Sequence, residues 1–344
     1  MVNPIKSYRN TFIILMGILL LIFIVNISLG SVYIPLKQLF LAFINGEVEK
    51  ESWRSILFDY RLPKAITAII VGSGLSISGL LMQTLFRNPL AGPFVLGISS
   101  GASLGVAILI LGSSFLGATA AGYAFSNWGQ AIAASVGSFL VLSAVMLAAI
   151  KVRNTMSILI IGLMFGSLTA SVISVLAYFS SANQLQQYLF WSFGSLGNLS
   201  WNEISSLLVV FLIGITFVIF IIKPLNSLLL GENYAKSMGV NVKRTRNLTL
   251  ISTSLLTGVI TAFSGPIAFI GLAVPHLTKL LFSTSNHKIL VPAVAISGAI
   301  IMLICDSIAQ LPTSEYTLPI NAITSLFGAP IIIWLLVRKR KINY

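Results

Sequence analysis

The chain has 344 residues, of which 56% are hydrophobic and only 8% charged, and Lys and Arg outnumber Asp and Glu by 21 to 8. Soluble domains carry about 25% charged residues, so the composition excludes an ordinary soluble protein and requires a polytopic membrane one. Cys305 is the only cysteine, which excludes an internal disulfide and a cysteine-held metal cluster; a buried, inert thiol is its default state.

Met1 to Asn10 carries Lys6 and Arg9 ahead of an apolar run at 11–33. A cleaved signal peptide has a shorter apolar core and a small-residue cleavage site, so this first span is expected to be retained. Further apolar runs lie at 65–86, 94–112, 129–150, 156–178, 203–222, 247–264, 266–282, 289–306 and 319–337. About 20 such residues cross a bilayer core, so ten spans are expected. Arg87, Asn88 and Pro89 close the second run. The third carries Gly97, Gly101 and Gly105 at four-residue spacing, on one helix face. Glycine is common in membrane helices generally, but three in register favour a face built for close backbone approach. Gly265-Pro266 separates the seventh and eighth runs.

An even number of spans puts both termini on one side, and the positive-inside rule makes that side the cytoplasm. Lys6, Arg9, Arg87, Lys151, Arg153, Lys223, Lys236, Lys243, Arg244, Arg246, Lys279, Lys288 and the four bases from Arg338 to Lys341 then lie inside, with Glu232 as the one acid. The outer side keeps Lys37, Lys50, Arg54, Arg61 and Lys64 with the seven remaining acids. The net charge of +13 is therefore topology, and nucleic-acid binding is excluded as its explanation.

Little in the sequence suggests chemistry. No G-x-x-x-x-G-K-[ST] loop occurs, so energy from ATP has to come from another subunit. His276 and His287 match no zinc spacing; beside Lys279 and Lys288 they are expected to be solvated or interfacial. Asp306, near a span end, is expected to cap a helix or face outer water, since one aspartate does not make a proton relay. The largest inner segment, 223–246, holds a short stretch from Glu232 to Met238 between Gly231 and Gly239, with Glu232 and Lys236 at pairing distance on a helix. It is either an interfacial cover for the bundle or a handle for a soluble motor. Outside, Arg61 and Lys64 either snorkel or form a positive rim for an acidic partner. The aromatic segment from Asn183 to Trp201 suits the membrane interface or a lid-like short helix.

Ordered motifs give a sharper reading. They are RLPK at 61–64, RNPLAGP at 87–93, GISSGASLG at 97–105, WSFGSL at 191–196, LGENYAKSMGV at 230–240, GPIAFIGLAVPH at 265–276 and LFGAP at 326–330. In this order the chain resembles the FecCD permeases of iron-siderophore, haem and cobalamin ABC importers over nearly its whole length. The resemblance implies an all-α, ten-helix permease in the cell (inner) membrane, one domain over 1–344, non-enzymatic and without a cofactor. It implies a second permease copy, two cytoplasmic ATP-binding subunits, and a periplasmic or lipid-anchored binding protein. Arg61 and Lys64 stand where the family's docking arginines stand, with Lys64 losing bidentate pairing. Gly231, Glu232, Ala235, Lys236 and Gly239 fall on the family's ATPase-coupling segment. The span 156–178, with Gly162, Met164, Gly166 and Thr169, resembles the helix that lines and gates the pathway.

Two positions depart from the family pattern. Gln310 stands where D-x-x-A-R has arginine, and Thr317, Leu318, Pro319 and Asn321 replace E-L-P-x-G, with Glu315 two positions early. Docking is then weaker, or carried by Arg54. The competing function is an ion-coupled secondary transporter.

Overall fold

Backbone inside a bilayer has no water to bond, which leaves helices and closed barrels. The computed structural model describes residues 4–338 apart from 31, 45, 114–121, 123–125, 151, 153, 154, 198 and 311–315, and what it describes is all-helical. The helices are α1 Pro4–Ser28, α2 Leu36–Phe43, α3 Glu51–Phe86, α4 Ile98–Leu111, α5 Asn127–Ile150, α6 Thr155–Tyr178 and α7 Ala182–Ser192. They continue with α8 Trp201–Leu228, α9 Glu232–Ser237, α10 Val242–Ser264, α11 Ile270–Phe282, α12 His287–Ala309 and α13 Ile320–Arg338.

Each of the ten apolar runs coincides with a helix over most of its length, the first running past the end of α1 at Ser28. Seven helices are long and apolar enough to cross a membrane, namely α1, α3, α5, α6, α8, α10 and α12, while α4, α11 and α13 are shorter. The ends follow local chemistry. Arg87, at φ 46°, stops α3 before Asn88-Pro89. The third run begins later than its apolarity suggests: Pro93–Leu96 forms a 3-10 turn, and Gly97 at φ 73° sits outside α4 as its N-cap. α11 is shortened in the same way, with Gly265 at φ 72° and Phe269 at φ 66° ahead of Ile270. The glycine face of α4 packs as its spacing implies. A Cβ on Gly101 would lie 2.5 Å from the Gly137 carbonyl oxygen of α5, and one on Gly105 would lie 2.0 Å from that of Ala133.

At the centre stands α3, with 89% of its apolar stretch buried. It runs antiparallel to α12, and the two are joined along their length. Lys64 meets Asp306 at one end, the end expected to face outside. At mid-height a Cβ on Gly72 would lie 2.3 Å from the Gly298 oxygen, and the Ser73 hydroxyl donates to the Ala295 carbonyl at 3.0 Å. Thr84 meets His287 at the other end. Other helices cover this pair: α1 and α11 pack on both α3 and α12, and α10 packs on α3.

Candidate functional site

Of the residues expected to form a docking rim, Arg61 turns inward while Lys64 and Arg54 stay partly exposed. Arg61 closes a π-helical turn, Ile56–Arg61, that carries its side chain under the end of α1. Its Nη1 donates to the carbonyls of Ile27 and Ser28, both at 2.8 Å, and its Nη2 donates to that of Val32; the residue is 8% exposed. The expectation of a surface arginine is therefore corrected: Arg61 ties down the turn between α1 and α2. Lys64, one turn on, places Nζ 3.1 Å from Oδ1 of Asp306 and stays partly exposed. Arg54 is half-buried in the first turn of α3.

Asp306 is also corrected, from a cap or water-facing group to a buried partner, 1% exposed. Its Oδ2 accepts from Asn26 Nδ2 at 2.9 Å and from Gln310 Nε2 at 2.7 Å. Asn26 further donates to Ser307 Oγ and the Leu303 carbonyl. One carboxylate thus binds α1, α3 and α12 together through three donors, from Lys64, Asn26 and Gln310. Gln310, which stands where the family pattern has a base, belongs to this cluster. Glu315 lies outside the described residues, as do Lys151, Arg153 and the bases 339–341.

At the inner end, α9 stands on the surface between α8 and α10. Gly231 (φ 118°) leads into it and Gly239 (φ 80°) leads out. Val240 N–H bonds the Ala235 carbonyl at 3.0 Å and Gly239 N–H that of Lys236 at 2.9 Å, a glycine-dependent C-terminal cap. Ala235 is fully buried while Glu232 and Lys236 are exposed. Leu229, Leu230, Tyr234 and Met238 leave an apolar surface around the handle. Just beneath it, Arg87 Nη2 donates to the Leu228 carbonyl at 2.7 Å.

Of the two histidines expected to be solvated or interfacial, His287 is buried and His276 is only partly exposed. His276 Nε2 is 2.8 Å from the Pro89 carbonyl and holds the α3–α4 turn. His287 is 1% exposed, with Nδ1 2.7 Å from Asn226 Oδ1 and Nε2 2.8 Å from Thr84 Oγ1. Their basic neighbours made this region look wet; only long-range contacts reveal Asn226 and Thr84. No cluster that could hold a metal ion occurs among the described residues.

The pathway set on α6 divides between faces. Gly162, Gly166 and Thr169 recur at helical spacing and turn into the protomer: a Cβ on Gly97 would lie 3.5 Å from the Gly162 oxygen, one on Gly166 would lie 3.3 Å from Ser100 Oγ, and Thr169 is buried. Met164 alone faces out, 60% exposed, on a face with Ser167, Ser171 and Ser174. Each of those hydroxyls donates to a carbonyl one turn back, so the face is polar yet self-satisfied.

A polytopic helical bundle with no nucleotide loop of its own fits the permease of an ABC importer, and the family match gives that class. The chain belongs to the FecCD transport family, which it matches over residues 18–338. It is 33% identical over 324 residues to the vitamin B12 import system permease protein BtuC of Klebsiella pneumoniae subsp. pneumoniae, covering 94% of this chain and 92% of that one. It is 33% identical to BtuC of Salmonella paratyphi A over 83% of this chain and 84% of that one. Among solved structures it superimposes on an ABC transporter assigned to the metal-chelate type, in an inward-facing conformation. The TM-score is 0.84 at 28% identity, over 96% of this chain and all of the other. PsaBC from Streptococcus pneumoniae, in complex with Fab, shares the fold at TM-score 0.53 and 16% identity, over 86% and 94% of the two chains. The protein is thus a multi-pass permease of the cell membrane, and in this family hydrolysis of ATP belongs to a separate subunit.

Proposed function

We propose that this permease moves a bulky metal chelate, cobalamin or a ferric siderophore or haem, inward through a pathway beside the open face of α6. Agreement with a solved ABC transporter of metal-chelate type over nearly the whole chain carries the reading; the names of the curated relatives add vitamin B12 to the cargo class. In this reading all ten apolar helices cross the membrane and both termini are cytoplasmic. α4 is about 21 Å long at 1.5 Å per residue, less than the roughly 30 Å core. Its packing against α5, α6, α7 and α10 shelters the non-helical backbone at its ends.

A second copy of the chain covers α6, whose apolar stretch is only 17% buried in the lone protomer. Two cytoplasmic ATP-binding subunits grip the segment 231–239 through Leu229, Leu230, Tyr234 and Met238. A periplasmic or lipid-anchored binding protein docks above. Arg54 and Lys64, both partly open to the outside, are the bases that meet its acids, while Arg61 keeps a structural role. A pathway lined by Met164 and self-bonded serines offers a chelate little to hold tightly, which suits passage.

The test is uptake into proteoliposomes holding the permease, ATPase and binding protein, with radiolabelled cyanocobalamin and a ferric hydroxamate as parallel cargoes. ATP-dependent accumulation of either is expected. Uptake that needs no ATPase subunit and collapses with an ionophore would overturn the importer in favour of an ion-coupled carrier.

A further inference from the structure

The handle α9 hangs from the last turn of α8, and that turn is mechanically unusual. Pro224 lies inside α8 and has no N–H to give the carbonyl one turn back, so the final turn is weakly tied to the helix above it. Side chains tie it sideways instead. Asn226 Oδ1 accepts from the His287 backbone N–H at 2.9 Å and from its Nδ1 at 2.7 Å. Asn226 Nδ2 donates to Asn286 Oδ1 at 2.9 Å, and Asn286 Oδ1 also accepts from Lys288 N–H at 3.0 Å, capping α12. Across the ring, Nε2 of His287 meets Thr84 on α3. A neutral imidazole with its proton on Nδ1 fits both contacts: Asn226 Oδ1 can only accept, and the Thr84 hydroxyl, which also lies 2.9 Å from the Leu80 carbonyl, turns its one proton to Nε2. Arg87 adds a second strap from α3 to Leu228.

We propose that His287 is a positioning residue for energy coupling, fastening the last turn of α8 to both α3 and α12. Displacement of the segment 231–239 then moves the central helix pair and is not lost by bending at Pro224. An imidazole is well suited to such a fastening, because it is rigid, presents two opposed hydrogen-bonding atoms, and reaches two helices at once. The α3–α12 pair, locked at Gly72 and Gly298 and again at Lys64 and Asp306, carries the movement to the outer end.

This inference rests on the importer reading, and its test separates the two. In proteoliposomes holding the full complex, cargo taken up and ATP hydrolysed are measured together, with cyanocobalamin or ferric hydroxamate as the probe. In His287→Ala, hydrolysis is expected to persist while uptake per ATP falls about 5- to 10-fold, the size of a typical coupling effect. His287→Asn, which keeps a donor toward Asn226, is expected to recover part of the ratio. An unchanged ratio, or uptake and hydrolysis falling in equal proportion, overturns the proposal. Should His287→Ala fail to assemble, Thr84→Val removes only the α3 contact, and an unchanged ratio there overturns it equally. A wild-type complex without ATP-dependent uptake defeats the importer reading instead.

Discussion

The helices α3 and α6 look alike as sequence, each a long apolar run with scattered glycine and serine, yet one is the axis of the protomer and the other lies on its rim. The apolar stretch of α3 is 89% buried and that of α6 is 17%, although α6 is the more apolar. In water that order would be inverted. In lipid, Leu and Val gain nothing by leaving the acyl chains, so close backbone packing and polar contacts decide which helix goes inside. On α3, Gly72 packs on α12, Gly79 on α11, and Ser73 bonds the Ala295 carbonyl. Along α6, Ser167, Ser171 and Ser174 bond their own helix and leave the surface free for another chain or a passing cargo.

The severest way to break this contrast is to add bulk to the axis. A Cβ on Gly79 would lie 1.7 Å from the Gly271 oxygen, so Gly79→Leu is expected to abolish the folded protein, scored as loss of the monodisperse peak in detergent. Gly166→Ala on α6, whose nearest neighbour is 3.3 Å away, should keep that peak. Next comes the charge pair. Asp306→Ala strands Lys64 and should cost about 3–5 kcal/mol by thermal or denaturant unfolding, with Lys64→Met/Asp306→Leu recovering a large part. A gentler comparison uses thiol labelling, because Cys305 is buried and silent. Ser171→Cys should react with maleimide in the solubilised protomer and Ser76→Cys should not; equal labelling would erase the distinction between the two helices. The smallest stability effect is expected for Met164→Ala, within about 0.5 kcal/mol, while its uptake rate changes if the open face of α6 lines the pathway.

The fold was legible wherever a lipid-length apolar run met a helix breaker. It was less so at Gly97 and Phe269, where a left-handed residue ahead of the helix delays its start without altering the run's apolarity. The handle was visible as a charged segment between two glycines, and its geometry follows from those residues. The polar clusters were not visible, because their members are far apart in the chain. Asn26 and Asp306 are separated by 280 positions, and His287 and Thr84 by 203. Arg61, bound to carbonyls 34 and 33 positions away, therefore looked like a rim charge, and His287, flanked by lysines, like a loop residue. Spacing along the sequence orders residues within one helix; it is silent on which helices share a carboxylate.

That shared carboxylate also sets a schedule for the chain's birth. Lys64 enters the membrane with α3, early in synthesis, while Asp306 arrives with α12 after most of the polypeptide has been made. The contact cannot form until α12 has been made, so a chain interrupted before Asp306 lacks the acid that joins α1, α3 and α12.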